Sequence, residues 1–391
     1  MKNSVKIPIG FVLEMDDVGW DDGRDLRVIG QASRSGLPRY HAIEDYEFLK
    51  RLTERTGKRI ATALCVGDWD KDNILRGEVG ITHDPYGWDR ASTINLEKQR
   101  RCLDILESAG ADYMVHGIMH GRYDEDGKQI TEHEHLVTRR RDDGEDERCL
   151  ESEEDFERRL DLFFKIYNSW GLKQKIRGFV CPCGIGNGSE ETVKRMSAVL
   201  YKYGIRYWAD TFKFPELEGN LKVYNGVACF RWMRNDTRMP WEAYDIDPKT
   251  LKTFNGGESD RTICLHGSHW TNYLRYNPEN NFEGVEKWAG FYERQGEVFG
   301  SMNSGGLAEA VNQLFYYEYA KTEWNENECL VDLSKVKENK LDCHVNEFYL
   351  SVKNDIEPKS CEGGEVSLYE EHNDFRIYKI KHSKDVVKLV F

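Results

Sequence analysis

Short apolar runs alternate with amphipathic helical segments from Ile7 to Ala320, and that alternation constrains the fold of this chain more than any other feature. Ile7–Met15 is apolar and ends in acidic residues and Gly19, the pattern of a buried strand running into a loop. Ile43–Thr56 carries Ile43, Tyr46, Leu49 and Leu52 at helical spacing, with Gly57 where a helix C-cap belongs. The same logic predicts strands over Arg59–Val66, Tyr113–His116, Arg177–Cys181, Ile205–Ala209 and Thr262–Leu265. It predicts helices over Leu96–Ala109, Glu153–Trp170, Glu190–Tyr203, Phe282–Arg294 and Leu307–Ala320. Strands alternating with helices of this length argue for parallel βα units wound into a barrel or an open sheet.

Two stretches break the rhythm. Arg122–Glu151 is highly charged, with Arg139-Arg140-Arg141 followed by Asp142-Asp143, and reads as a solvated insertion that includes His133 and His135. Beyond about Asn325, the segments Leu341–Val352, Glu365–Tyr369, Phe375–Lys381 and Val386–Phe391 are short, alternating and rich in β-formers. The expected organisation is an α/β catalytic unit over residues 1–325 and an antiparallel β module over residues 326–391.

Lys and Arg total 55 against 69 Asp and Glu, a net charge of −14 with no basic block, which disfavours a nucleic-acid partner. No apolar stretch approaches the roughly 20 residues of a membrane span. Ten cysteines without a regular frame do not read as a disulfide scaffold, so a reducing, cytoplasmic setting is expected. Cys65 and Cys264 lie in apolar runs and read as small buried hydrophobes. Homo-oligomerisation stays open.

Functional groups in parallel α/β folds gather at the C-terminal ends of strands. Asp16 and Asp17 end the first strand, His116 ends the third, and His266 follows a late one. On a continuous strand His116 and His120 would stand roughly 13 Å apart. A helical turn brings that spacing onto one face, and Gly117 and Gly121 permit the chain to enter one. Two imidazoles and one carboxylate leave open positions on an ion, as catalytic rather than structural sites do.

Glu14-Met15-Asp16-Asp17-Val18-Gly19, His116-Gly117-Ile118-Met119-His120, Cys181-Pro182-Cys183-Gly184 and Leu265-His266 resemble, in order and approximate spacing, the motifs of the polysaccharide deacetylase family, also called NodB-homology or carbohydrate esterase family 4. The resemblance covers roughly residues 5 to 325. It implies a distorted (β/α)7 barrel, one divalent metal, usually zinc, and hydrolysis of an N- or O-acetyl group on a sugar or polysaccharide. By the same resemblance Asp16 is the base, Asp17, His116 and His120 are the metal ligands, His266 is the general acid, and the backbone N–H of Cys183 is the oxyanion donor. Tyr207-Trp208-Ala209-Asp210 only approximates the family's Asp-rich motif with Trp; Asp210 there is either a group that orients His266 or an ordinary strand-end Asp.

Trp20, His269 and Trp270 are candidates for the substrate pocket. The chain departs from the family at Val180, where an Arg usually orients the catalytic Asp. Without a recognisable secretion signal, a smaller acylated sugar or sugar conjugate is the more natural substrate than a cell-wall polymer. Two other readings remain open: a hydrolase of a cyclic amide or ureide, and a non-catalytic glycan-binding relative.

Overall fold

The computed structural model describes residues 5–19, 39–82, 84–123, 129–132, 134–138, 147–182, 190–210, 221–234, 264–299 and 301–391. Seven parallel strands form its centre: β1 (Gly10–Val18), β2 (Ala61–Cys65), β3 (Asp112–Gly117), β4 (Gly178–Val180), β5 (Tyr207–Asp210), β6 (Val227–Arg234) and β7 (Leu265–His269). β1 is buried at every position, as a strand covered on both faces must be. Pairing runs in parallel from β1 through β2, β3, β4 and β5 to β6, and then through β7 back to β1. The sheet curls into a ring that has no free edge among these seven strands.

Helices α1 (Ile43–Thr56), α2 (Leu96–Ser108), α3 (Glu153–Ser169), α4 (Glu190–Lys202), α5 (Val285–Phe299) and α6 (Leu307–Tyr319) supply the outer layer and one cap. The barrel is not a regular sevenfold βα repeat. Between β5 and β6 the described residues hold an antiparallel strand, Leu221–Tyr224, paired with β6 where a helix would stand. The last strand extends beyond the point where the apolar pattern ended it, over Leu265–His269, because two histidines, a glycine and a serine carry no apolar signal; Thr262 and Ile263 lie outside the described residues.

Side chains alternate cleanly across the ring. Val12, Ala61, Ala63, Met114, Val180, Ala209, Ala228 and Leu265 belong to the inner apolar cluster. Their neighbours Leu13, Leu64, Val115, Phe179, Trp208 and Cys229 belong to the outer one, beneath the helices. Small inner residues let α6 close the N-terminal end of the barrel. A Cβ on Gly10 would fall 2.5 Å from Ser304 Oγ and 3.3 Å from the Ala310 Cα, so β1 and α6 meet backbone to backbone there.

The inner cluster continues through α6 into the C-terminal strands, joining Leu314 and Phe315 to Phe348, Leu350, Ile380 and Leu389. Two four-stranded sheets lie there. One is ordered Val5–Lys6, Glu347–Lys353, Phe375–His382, Gly364–Glu371; the other Lys321–Asn325, Glu328–Asp332, Val386–Val390, Ser360–Glu362. Both take strands from the barrel side of the expected division at 325/326, since Val5 pairs with Val352 and Lys321 with Asp332. No helix among the described residues is long and apolar enough to cross a membrane.

Two polar junctions tie these parts together. Asp45, fully buried in the first turn of α1, accepts from both guanidinium nitrogens of Arg39 at 2.8 and 2.7 Å, from Ala42 N and from Asn281 Nδ2. Arg39 also donates to the carbonyl of Arg275, so the pair ties α1 to the segment that follows β7. At the other junction the Tyr316 hydroxyl of α6 lies 2.7 Å from His382 Nε2 and 3.1 Å from His344 Nε2. Burial, helped by the charges of Lys340 and His382, pushes His344 down to about 4 from its usual 6.5.

Asp45→Ala leaves a largely buried guanidinium without its carboxylate and is expected to cost about 3–5 kcal/mol of stability, read from chemical denaturation. His344 is neutral in the folded chain and charged more easily in the unfolded one. Its contribution is therefore complete above pH 6.5 and is lost as the pH falls toward 4. Thermal unfolding across that window should show a falling transition temperature, and His344→Gln should flatten the slope.

Candidate metal centre

Neighbouring residues of a strand point to opposite faces, so Asp16 and Asp17 should not serve one site. A bulge removes the conflict. The register of β1 against β2 shifts between Met15 and Val18, and Asp17 takes a left-handed backbone with φ of 64°. Both carboxylates then reach the same imidazole: His116 Nε2 lies 3.2 Å from Asp17 Oδ1, and His116 Nδ1 lies 3.8 Å from Asp16 Oδ1.

His116, at the inner end of β3, bonds through Nδ1 to the carbonyl of Val180 at 2.9 Å. That bond fixes the ring and turns Nε2 toward Asp17. Val180, which lacks the side chain expected to orient the catalytic Asp, thus positions the histidine through its backbone.

The step from His116 to His120 is a tight turn rather than the expected helical one. Gly117 has φ of +146° and His120 φ of 64°. Glu132 from the charged insertion is 1% exposed, and its carboxylate accepts the N–H groups of Ile118, Met119 and His120 at 2.7–2.9 Å. A helical turn would leave these three amides pointing along the chain; the carboxylate gathers them instead. The two imidazole rings end with centroids 5.2 Å apart, and His120 Nε2 lies 3.7 Å from Asp17 Oδ1.

Two more groups face Asp17. His269 is the register partner of Asp16 on the adjoining strand, with Nε2 3.8 Å from Asp17 Oδ2. Cys65, at the inner end of β2, has its sulfur 4.0 Å from Asp17 Oδ1. The donor atoms of Asp17, Cys65 and His116 all lie within 4.8 Å of one another.

The structure therefore brings together Asp16, Asp17, His116 and His120 with His269, one of the pocket candidates, and adds Cys65 and Glu132 in direct contact with them. His266 is placed elsewhere. It sits three residues before His269, on the opposite face of β7, and packs edge-on against Phe11 with ring centroids 4.7 Å apart. Trp270 is fully buried between His41 and Tyr46, at centroid separations of 4.2 and 4.9 Å, so it props up the start of the turn after β7 and does not wall a pocket.

Asp210 is buried at the end of β5, which β6 separates from β7, and it shares the outward parity of Trp208. Trp20 and Cys183 lie outside the described residues, as does His133. The insertion is not wholly solvated: besides Glu132, Glu151 is buried and pairs with Arg159 at 2.6 Å.

Electrostatics sort the cluster. Burial alone would raise the Asp17 carboxyl, but His120 and His116, with His269, outweigh it and hold Asp17 well below the usual carboxylate range. Burial works against a charge on His116 too, yet the carboxylates of Asp16 and Asp17 lift it to about 9. His120, dominated by burial, drops to about 4. Burial and the nearby carboxylates push the Cys65 thiol well above its usual range.

In the chain alone the His116 imidazolium thus offsets two buried carboxylates. Asp17 Oδ2 and His116 Nε2 are nonetheless buried without a hydrogen-bond partner among the described residues. Asp17, Cys65 and His116, buried and with donor atoms within 4.8 Å of one another, form a donor set that fits a divalent cation.

No family model matches the chain, and no curated protein matches it. Among solved structures, it aligns with a family 4 carbohydrate esterase from Streptomyces lividans in complex with acetate, at 10% identity and a TM-score of 0.33 over 78% of this chain and 94% of that one. A carbohydrate esterase family 4 pseudoenzyme from Bacillus anthracis aligns at 10% identity and a TM-score of 0.33, over 76% of this chain and 67% of that one. A 4-alpha-glucanotransferase from Thermococcus litoralis aligns at 11% identity and a TM-score of 0.37, over 78% and 40%. At this level of likeness, what the chain does has to be read from its own residues.

Glu132→Ala releases the three amides that fix His120. It is expected to weaken divalent-ion binding about 10–100-fold in a competition titration, with Glu132→Gln recovering part of the loss.

Proposed function

We propose that this chain is a metal-dependent hydrolase that removes an acyl group, acetyl in the first instance, from an N- or O-acylated sugar or glycan. The observation that carries the reading is the meeting of two adjacent carboxylates and three imidazoles at one end of the barrel, with Asp17 as their common neighbour. The sugar half of the proposal rests on the ordered motif set, from Asp16-Asp17 to Leu265-His266, that resembles the polysaccharide deacetylases.

Asp17, His116 and His120 would hold the ion, and zinc is the metal that the family resemblance implies. When bound, such an ion polarises an acyl carbonyl and lowers the pKa of the attacking water. The chain's own groups divide the remaining work. Asp16 does not need to be a ligand; it stands beside His116 as the carboxylate that takes the proton from water. His269 faces Asp17 from β7 and would return a proton to the leaving amine or alcohol. The proton-donor role expected of His266 passes to it, because strand alternation turns His266 toward Phe11. The Cys183 backbone N–H remains the proposed donor to the carbonyl oxygen.

Elemental analysis should find about one divalent ion per chain, absent from His116→Ala. Asp16→Asn and His269→Ala should keep the ion and lose about 10²–10⁴ of acetate release from acetylated chito-oligosaccharides. His266→Ala should retain turnover and lose stability instead. An ion-free chain after zinc incubation would sink the proposal, as would full turnover in Asp16→Asn. Ring opening of a cyclic amide without acetate release would redirect it to that substrate class.

A further inference from the structure

We propose that Cys65 supplies a sulfur donor to the same ion, making the centre a mixed sulfur, oxygen and nitrogen site. The inference depends on the metal-centre reading above and goes beyond it in naming a ligand.

The strand pattern places the thiol. Ala61 and Ala63 point into the barrel, and Cys65 continues that parity at the last position of β2, beside the bulge that turns Asp17. Its side chain is 2% exposed. A cysteine serving only as a small apolar filler packs against apolar neighbours, as Cys264 and Cys329 do within the inner cluster. Cys65 instead directs its sulfur at a buried carboxylate, 4.0 Å from Asp17 Oδ1.

The spacing suits coordination. Bonds of about 2.3 Å to sulfur and 2.0–2.1 Å to oxygen or nitrogen, at tetrahedral angles, hold ligand atoms roughly 3.3–3.5 Å apart. The Asp17–His116 pair is already at 3.2 Å, and all three donors lie within 4.8 Å. Closing the Cys65 side asks for about half an ångström toward Asp17 and up to about 1.3 Å toward His116, a shift that a χ1 adjustment can supply. Asp17 Oδ2 and His116 Nε2 are buried without a hydrogen-bond partner among the described residues, an observation that does not involve the sulfur.

Ligation breaks the S–H bond, forms a metal–sulfur bond and passes the proton to solvent. Asp17, Cys65 and His116 would supply three donors and leave a position for His120, a water or a substrate oxygen. A soft donor in the set disfavours magnesium and calcium and favours zinc or cobalt.

The test is to load the full chain with Co2+ and record its absorption. Thiolate ligation gives an intense near-ultraviolet charge-transfer band in addition to the visible ligand-field bands. Wild type is expected to show both. Cys65→Ser should keep visible bands, lose the near-ultraviolet one and bind Co2+ at least about tenfold more weakly. Circular dichroism and thermal unfolding check that the variant folds. If it does not, X-ray absorption of the wild-type zinc protein decides the matter by the presence or absence of a sulfur shell at about 2.3 Å. Visible bands alone in wild type, or no sulfur shell, would remove Cys65 from the centre and leave the metal reading standing. No uptake of Co2+ or Zn2+ by wild type would overturn both.

Discussion

The left-handed turn at Asp17 is the constraint on which the rest of the site depends. Without it β1 would continue its alternation, and Asp17 would face the outer helices while Asp16 faced the barrel. A non-glycine residue in that conformation costs about 1–2 kcal/mol, and aspartate tolerates it better than most. The return is electrostatic. Glu14, Asp16 and Asp17 are all fully buried within four residues of chain, and the Asp17 carboxylate is held charged there by the imidazoles that meet it. His116 is one of these, fixed between Asp16, Asp17 and the Val180 carbonyl. The bulge and the imidazole are interdependent, because each would be destabilising alone.

Glu132 extends the same economy of charge to the second histidine. Three consecutive amides aimed at one point form a concavity for an anion, and this chain fills it with its own carboxylate. The turn tolerates no side chain at Gly117, where a Cβ would fall 2.6 Å from Glu132 Oε2. The charged insertion is therefore more than a solvated excursion, since one of its acidic residues sets the conformation of the turn that carries His120.

The strand–helix alternation was readable because burial on both faces imposes apolar runs and helix packing imposes a period of 3.6. The meeting of Asp16, Asp17 and His116 was readable from the rule that functional side chains collect at strand ends. Two features were not. Cys65 ends a strand just as His116 does, but its chemistry is ambiguous in a chain with ten cysteines, and its apolar context argued for packing. Glu132 acts through backbone amides some dozen residues away in sequence, a contact that no periodicity encodes. His269 was named for the substrate pocket, but its place beside Asp17 was not read from the sequence. The apolar run ended at Leu265, and extending the strand by four residues would have shown that His266 and His269 fall on opposite faces.

That parity makes the pairing of β7 with β1 chemically consequential. Because side chains alternate with a period of two, a slip of one residue would exchange the faces of the whole strand. His266 would enter the barrel and His269 would leave it. The pairing Leu265 with Val12 through His269 with Asp16 is thus what sets His269 beside the carboxylates. It is held at the far end by Gly10, whose missing side chain lets α6 seat against the start of β1, roughly 20 Å from the site along the strand. The C-terminal sheets join the molecule at that far end, through α6. Their packing steadies the register of β1 from one end while the histidines and carboxylates use it at the other.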